Sequence, residues 1–300
     1  MFLCFARNGT ARIPCQFLSS ATRKTTYMFR YRRHDSLLSG ALTMSELIYH
    51  AVVRSVRSGH SNAIIALGKN MLQVVIFVGA FYMLFMILGM RGSALRGDFV
   101  LYIMSGIFLY MTHIKAVGAV AGAEGPNSPM MQHAPMNTII AIAAAAFSSL
   151  YTQFLSLSII LFGYHVVVRP IEIDDPGGAF GMLILAWFTG CAVGLIFLAL
   201  KPWFPTVVGI MSTLYQRANM IASGKMFVAN ALPTFMLKVF DWNPLFHAID
   251  QCRGFVFRNY FPHNSNWHYA LGVGLVLLML GLMGEFYTRR HVSVSWFARR

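Results

Sequence analysis

Four stretches of this 300-residue chain contain no Asp, Glu, Lys or Arg at all: residues 71–90, 137–164, 179–200 and 267–284. An α-helix needs roughly 20 apolar residues to cross the hydrocarbon core of a bilayer, so each run is long enough to span one. A single such run is compatible with a buried helix of a soluble domain; four of them are not. Composition agrees, since only 11% of the residues are charged against roughly 25% in soluble domains. Too little polar side chain is present to solvate a globule of this size.

The net charge of +14 is unevenly placed. Ten of the 24 basic residues precede Met71 (Arg7, Arg12, Arg23, Lys24, Arg30, Arg32, Arg33, Arg54, Arg57 and Lys69), and Arg289, Arg290, Arg299 and Arg300 follow the last apolar run. Lys and Arg concentrate on the cytoplasmic side of membrane proteins, so both termini are expected inside, which requires an even number of spans. Topology and attraction to anionic headgroups account for the basicity, and a nucleic-acid partner is not expected. The cysteines (Cys4, Cys15, Cys191, Cys252) form no CxxC and no metal spacing, so no metal site is expected.

Residues 1–39 are rich in Arg, Ser and Thr, lack a long apolar run, and read as a disordered basic tail. Thr43 with Glu46 three residues on has the form of a capping box. The helix it opens sets Leu47, Ile48, Ala51, Val52 and Ser55 near one face, with His50, Arg54 and Arg57 on others. A basic amphipathic helix of this kind suits the cytoplasmic interface. Spans are expected at about 70–90, 99–118, 137–164, 179–200, 206–228 and 267–286. Between the second and third, residues 122–137 carry Pro126, Pro129 and Pro135, which break regular helix and predict a compact cytoplasmic loop.

The fifth span is anomalous because it holds Arg217 and Lys225. Lys225 is placed to snorkel from the outer end. Arg217 is nearer the middle, where a charge costs roughly 2.5–3.5 kcal/mol on an insertion scale. It therefore needs protein or water beside it, unless the helix is displaced and Arg217 sits at the interface. Residues 231–262 stay apolar but are interrupted by Lys238, Asp241, Asp250, Arg253 and Arg258. Two short amphipathic helices around 241–244 are expected there, at the outer face, since irregular backbone at membrane depth must be buried in protein or line a cavity. The expected fold is all-α: a polytopic membrane protein with six transmembrane helices, an N-terminal amphipathic interfacial helix and short outer-face helices before the last span. Its parts are the tail 1–39, a transmembrane domain over 40–287, and a basic cytoplasmic tail over 288–300.

The run Asn243-Pro244-Leu245-Phe246-His247-Ala248-Ile249, then Arg253, then Tyr260-Phe261-Pro262, resembles the C-terminal signature of ABC-2 type transporter permeases. The likeness is greatest to the branch exporting capsular polysaccharide and lipid-linked O-antigen. Arg217, Ser223-Gly224 and Leu232-Pro233 sit where that branch carries an Arg, a Ser-Gly and a Leu-Pro, and the helix with Arg54 and Arg57 resembles its basic interfacial helix. The resemblance covers roughly residues 43–287, including the order of elements. Lys225 departs from it, standing where an apolar residue is usual.

That resemblance implies a permease half that forms a homodimer in the bacterial inner membrane and docks on nucleotide-binding ATPase subunits. ATP–Mg would be bound in that partner, and no cofactor by this chain. A Walker A motif is absent: Gly224-Lys225 is followed by Met226, and Asn219 stands where the motif's first Gly belongs. The chain is thus expected not to be an enzyme. By the same likeness Arg54, Arg57, Glu124, Gly125, Pro126 and Pro129 would couple to the ATPase, and Arg217, Asn243, Pro244, His247, Arg253 and Tyr260 would form the substrate path or its outer gate. Arg217 and Arg253 suit the phosphate or acidic sugars of a polyanion. The expected activity is export of a polysaccharide or lipid-linked glycan across the inner membrane; export of a drug or small lipid, or a membrane-embedded transferase, are the alternatives.

An ion-coupled carrier is disfavoured, because the clear spans hold no Asp or Glu until Glu285. His113, His133, His247, His263 and His268 come without HExxH or paired carboxylates and read as satisfied polar residues. Aromatic residues in the spans, Tyr102 and Tyr110 among them, suit either stacking on sugar rings or ordinary helix contacts. Trp203, Trp242, Tyr260 and Trp267 suit interfacial belts.

Overall fold

A computed structural model describes residues 37–58, 63–89, 98–123 and 138–291. Among them are nine α-helices and no strand: α1 Leu37–Ser58, α2 Ala63–Ile87, α3 Phe99–Ala121, α4 Thr138–Val167, α5 Pro176–Leu200, α6 Pro205–Ala222, α7 Thr234–Phe240, α8 Pro244–Val256 and α9 Trp267–His291. The chain divides into two compact units, Met1–Ser45 and Glu46–Arg300. Of the first, the described part is residues 37–45, the opening turns of α1.

Because α1 already runs from Leu37, Thr43 and Glu46 lie inside it and do not form the expected cap at a helix start. Ser45 Oγ instead donates to the Leu42 carbonyl within the helix at 2.7 Å. Other starts are encoded locally. Asp98 caps α3 by accepting from the Val100 N–H at 3.0 Å, and Tyr164 of α4 donates to its second oxygen. Asp175 caps α5 by accepting from Gly177 and Gly178, with Pro176 in the first helical position, where its missing N–H costs nothing. Asn243 and Pro244 repeat the arrangement for α8. α9 continues to His291, so Arg289 and Arg290 fall in its last turn.

Among the described residues, five helices are long and apolar enough to cross a membrane: α2 over Leu67–Ile87, then α3, α4, α5 and α9. Expectation and structure part at α6. Its 18 residues reach about 27 Å at 1.5 Å per residue, a little short of a ~30 Å hydrocarbon core. They include Thr206, Ser212, Thr213, Gln216, Arg217 and Asn219. The helix does not continue to residue 228, because Gly224 takes φ +69° and turns the chain. Few side-chain-bearing residues tolerate that conformation. A Cβ at Gly224 would also lie 2.4 Å from the Phe246 ring. Lys225 therefore belongs to a turn and does not snorkel outward: it is 3% exposed.

α3 is the hub of the bundle, buried on all sides from Leu101 to His113. α5 crosses it at close range because Gly190 and Gly194 present no side chain there. Cβ atoms on them would stand 2.6 Å from the His113 carbonyl oxygen and 2.8 Å from that of Val117. Small residues one turn apart let helix backbones meet where lipid supplies no hydrophobic drive between helices. α9 packs along α5, and α8 lies against α5, α3 and α9. Leu72, Ile76, Met83, Phe162, Met279 and Met283 are exposed on α2, α4 and α9, an outward apolar surface that suits surrounding lipid. α6 is thinly held, with only Val208 and Asn219 buried along its length.

Candidate functional site

Polar side chains within membrane-length helices are costly, so the place where they gather is informative. They gather around a cavity of about 740 Å³ between α2, α3, α4 and α6. Its cations come from three helices: Lys69 of α2, Lys115 of α3 and Arg217 of α6. No Asp or Glu is among the described lining residues.

Uncharged polar groups hold this lining in place. Lys115 Nζ donates to Gln73 Oε1 at 2.7 Å, joining α3 to α2. Asn70 Nδ2 donates to Ser156 Oγ at 2.8 Å, and Gln153 Nε2 returns a bond to Asn70 Oδ1 at 3.0 Å, joining α2 to α4. Both amides are buried, so each bond satisfies groups that would otherwise be stranded in a low-dielectric interior. The far wall is aromatic: Phe77 and Tyr110 face the cavity there. Chemically, ammonium and guanidinium groups from separate helices suit a multivalent oxyanion, the guanidinium as a bidentate partner. A cavity whose described charged lining residues are all cations disfavours metal cations and protons.

Of the six residues expected along the path, Arg217 lines the cavity and is exposed; the other five do not line it. Those five make up a scaffold around α8. Arg253 is 0% exposed. Its Nη1 donates to the carbonyls of Gly224 at 3.1 Å and Phe227 at 2.5 Å, and its Nη2 to that of Lys225 at 2.5 Å. The guanidinium lies over the Tyr102 ring, 4.3 Å from its centre. It is thus enclosed in protein and positions the 223–227 turn, a different task from meeting an anion.

Asn243 caps α8 through Oδ1 and, through Nδ2, donates to Asn219 Oδ1 at 2.9 Å and the Ala222 carbonyl at 3.0 Å, tying α8 to the end of α6. His247 Nδ1 accepts from the Asn266 N–H at 3.1 Å, so Nε2 carries the proton and donates to the Asp241 carbonyl at 2.8 Å. Tyr260 donates to Asp250 Oδ1 at 2.5 Å, while Ser265 Oγ donates to Oδ2 at 2.7 Å. Burial, then the charge of the Asp250 carboxylate, hold the Tyr260 phenol above its ordinary range.

Of the residues expected to couple to an ATPase, Arg54 is exposed on α1 and only the backbone of Arg57 is described. Glu124, Gly125, Pro126 and Pro129 lie outside the described residues. His113 is a satisfied core histidine: Nδ1 is 3.0 Å from the Ala186 carbonyl oxygen and Nε2 is 2.8 Å from Tyr215 Oη, so it joins α3, α5 and α6. Sequence reasoning missed Lys115 and the amides Asn70, Gln73 and Gln153 as site residues. Their signal was present, as hydrogen-bonding side chains inside otherwise apolar runs.

No protein-family model matches this chain, and no curated protein matches it.

Proposed function

We propose that this chain is the permease subunit of an ATP-driven exporter and that it moves an anionic polysaccharide or lipid-linked glycan across the bacterial inner membrane. One observation carries the reading: Lys69, Lys115 and Arg217 converge on a cavity among apolar helices with no carboxylate among its described lining residues. A neutral hydrophobic substrate has no use for such a lining, and a cation is repelled by it. The amides and hydroxyls between the cations, such as Gln73, Thr152 and Gln216, suit the hydroxyls of sugars.

On this reading α6 is a sixth span. Its sparse contacts within the protomer and its exposed Arg217 suit closure of the cavity by a second copy of the chain, as in a homodimer. An even span count puts both termini on the cytoplasmic side, with α1 at that interface and α7 and α8 at the outer face. Energy comes from ATP–Mg bound in a separate ATPase subunit, seated against residues 122–137, with α1 contributing Arg54 and Arg57.

The test is reconstitution in proteoliposomes with the ATP-hydrolysing subunit that co-purifies with the chain. A fluorescent polyprenyl-diphosphate oligosaccharide should cross only when ATP and both proteins are present. Movement of that substrate without ATP or any ATPase overturns the reading. Movement of plain phospholipid but not of the glycan lipid replaces it with small-lipid export.

A further inference from the structure

Three buried donors around one turn lack a hydrogen-bond acceptor: Ser223 Oγ, Lys225 Nζ and Arg253 Nε. The turn itself is firmly built. Gly224 takes φ +69°, Arg253 holds three of its carbonyls, and Tyr102 donates to the Met226 carbonyl at 3.2 Å. An accommodating loop would have let Lys225 reach water. This one directs its ammonium into protein.

Three aromatic faces lie beside the ammonium. Nζ is 3.6 Å from the centre of the Tyr110 ring, 4.9 Å from that of Phe81 and 5.5 Å from that of Phe77. Cation–π contacts return less than removing an ammonium from water costs, so a lysine kept here is under-compensated. Phe77 and Tyr110 also form the far wall of the 740 Å³ cavity, whereas Lys225 is not among its lining residues. One thickness of aromatic ring therefore separates an unpaired cation from a hollow already lined by Lys69, Lys115 and Arg217. That ring is lightly latched. Tyr110 Oη donates to the Gln216 carbonyl at 3.4 Å, a long bond beside Arg217.

We propose that Lys225 is a second anion subsite beyond the cavity, kept shut by the Tyr110 and Phe77 rings until an oxyanion displaces Tyr110 from the ammonium. The inference rests on the cavity being an anion path. It adds a relay: an anion held by the three cavity cations advances to a fourth, and the aromatic wall closes behind it. No covalent bond is made or broken in the step, which gives up the Tyr110–Gln216 hydrogen bond and exchanges a π face for an oxyanion as partner of the same ammonium.

Inorganic pyrophosphate binding to the full chain in nanodiscs, measured calorimetrically, tests it. Removing the Tyr110 ring (Tyr110→Ala) should expose the subsite and tighten binding roughly ten-fold, about 1.4 kcal/mol at 25 °C. That gain should vanish in Tyr110→Ala/Lys225→Met and persist in Tyr110→Ala/Lys225→Arg. Phe77→Ala opens the same wall from α2 and should reproduce the gain if Tyr110→Ala does not fold. A wild-type protein that binds pyrophosphate, with no gain in either opened variant, overturns the subsite and leaves the cavity reading standing. So does a gain that survives removal of Lys225. Binding in the opened variants but none in the wild type overturns the cavity as an anion site, and the relay with it, although Lys225 itself then binds the anion.

Discussion

Arg253 Nη2 stands 2.5 Å from the backbone carbonyl oxygen of Lys225, so one buried cation fixes the main chain of another. The two side chains then diverge onto rings of the same helix, Arg253 over Tyr102 and Lys225 over Tyr110, both on α3.

Replacing the first cation should be severe. Arg253→Met strands the carbonyls of Gly224, Lys225 and Phe227 and should destabilise the fold by about 3–5 kcal/mol, the usual cost of unmaking a buried charged network. Arg253→Lys keeps the charge without the planar fork and should recover little. Denaturant unfolding in mixed micelles reads both, and an unshifted midpoint for either would contradict the clamp.

The bond between His113 and Tyr215 predicts a smaller, local effect. Tyr215→Phe removes the hydroxyl 2.8 Å from His113 Nε2 and should cost about 0.6–1.7 kcal/mol, the range for such bonds in membranes. Because α6 has few other contacts, a spin label at Ala218→Cys should become more mobile in the same variant. Unchanged mobility would mean that α6 is held by something else.

Cavity charge is tested by Lys115→Met and Arg217→Met. Each removes a cation able to pair with an oxyanion, an interaction worth about 1.5–3 kcal/mol, so binding of a lipid diphosphate should weaken at least ten-fold. The wild-type affinity should also fall as salt rises. Retained affinity in both variants would exclude the cavity as the binding site.

Two glycines separate space from flexibility. Gly190→Ala drives a Cβ to 2.6 Å from the His113 carbonyl oxygen and should cost about 1–3 kcal/mol by forcing α3 and α5 apart. Gly79→Ala meets nothing within 4 Å on α2 and should be neutral or stabilising by up to ~1 kcal/mol. Thermal unfolding of the pair distinguishes them.

Cys252 lies on α8, outside the membrane-length helices, and burial pushes its thiol up from 9.0 to about 12. The native protein at pH 8 should leave it unalkylated by N-ethylmaleimide, with reaction only on unfolding; peptide mass spectrometry locates the adduct. Its folded value lies above its unfolded one, so the folded state holds the proton more tightly. The linked stability is complete below about pH 8.5 and is lost as pH rises toward 12.

Apolar runs without charge made the membrane-length helices legible, because length and hydropathy are local properties. Caps were less readable: the box read at Thr43 and Glu46 lies inside α1, whereas Asp175 with Pro176, a true helix start, was not singled out. The site was not, for a physical reason. Lys115, Gln73 and Asn70 matter through contacts between helices, and nothing in the neighbours of Lys115 in sequence announces Gln73 across the bundle. The carbonyl partners of Arg253 were hidden for the same reason, since a guanidinium bound to carbonyls and one awaiting phosphate look alike in sequence. At Lys225 a helical period ran into Gly224, and the positive φ there outweighed it.

The absence of carboxylates among the described lining residues of the cavity also bears on bioenergetics. Were the cavity to sit in an energised membrane, as proposed, conducting cations through it would dissipate the proton or sodium gradient stored there. If the cavity is the anion path proposed, the three positive charges of its lining would hold out hydronium and sodium. A cell could thus keep such a protein abundant in its energised membrane without leaking the gradient that powers everything else.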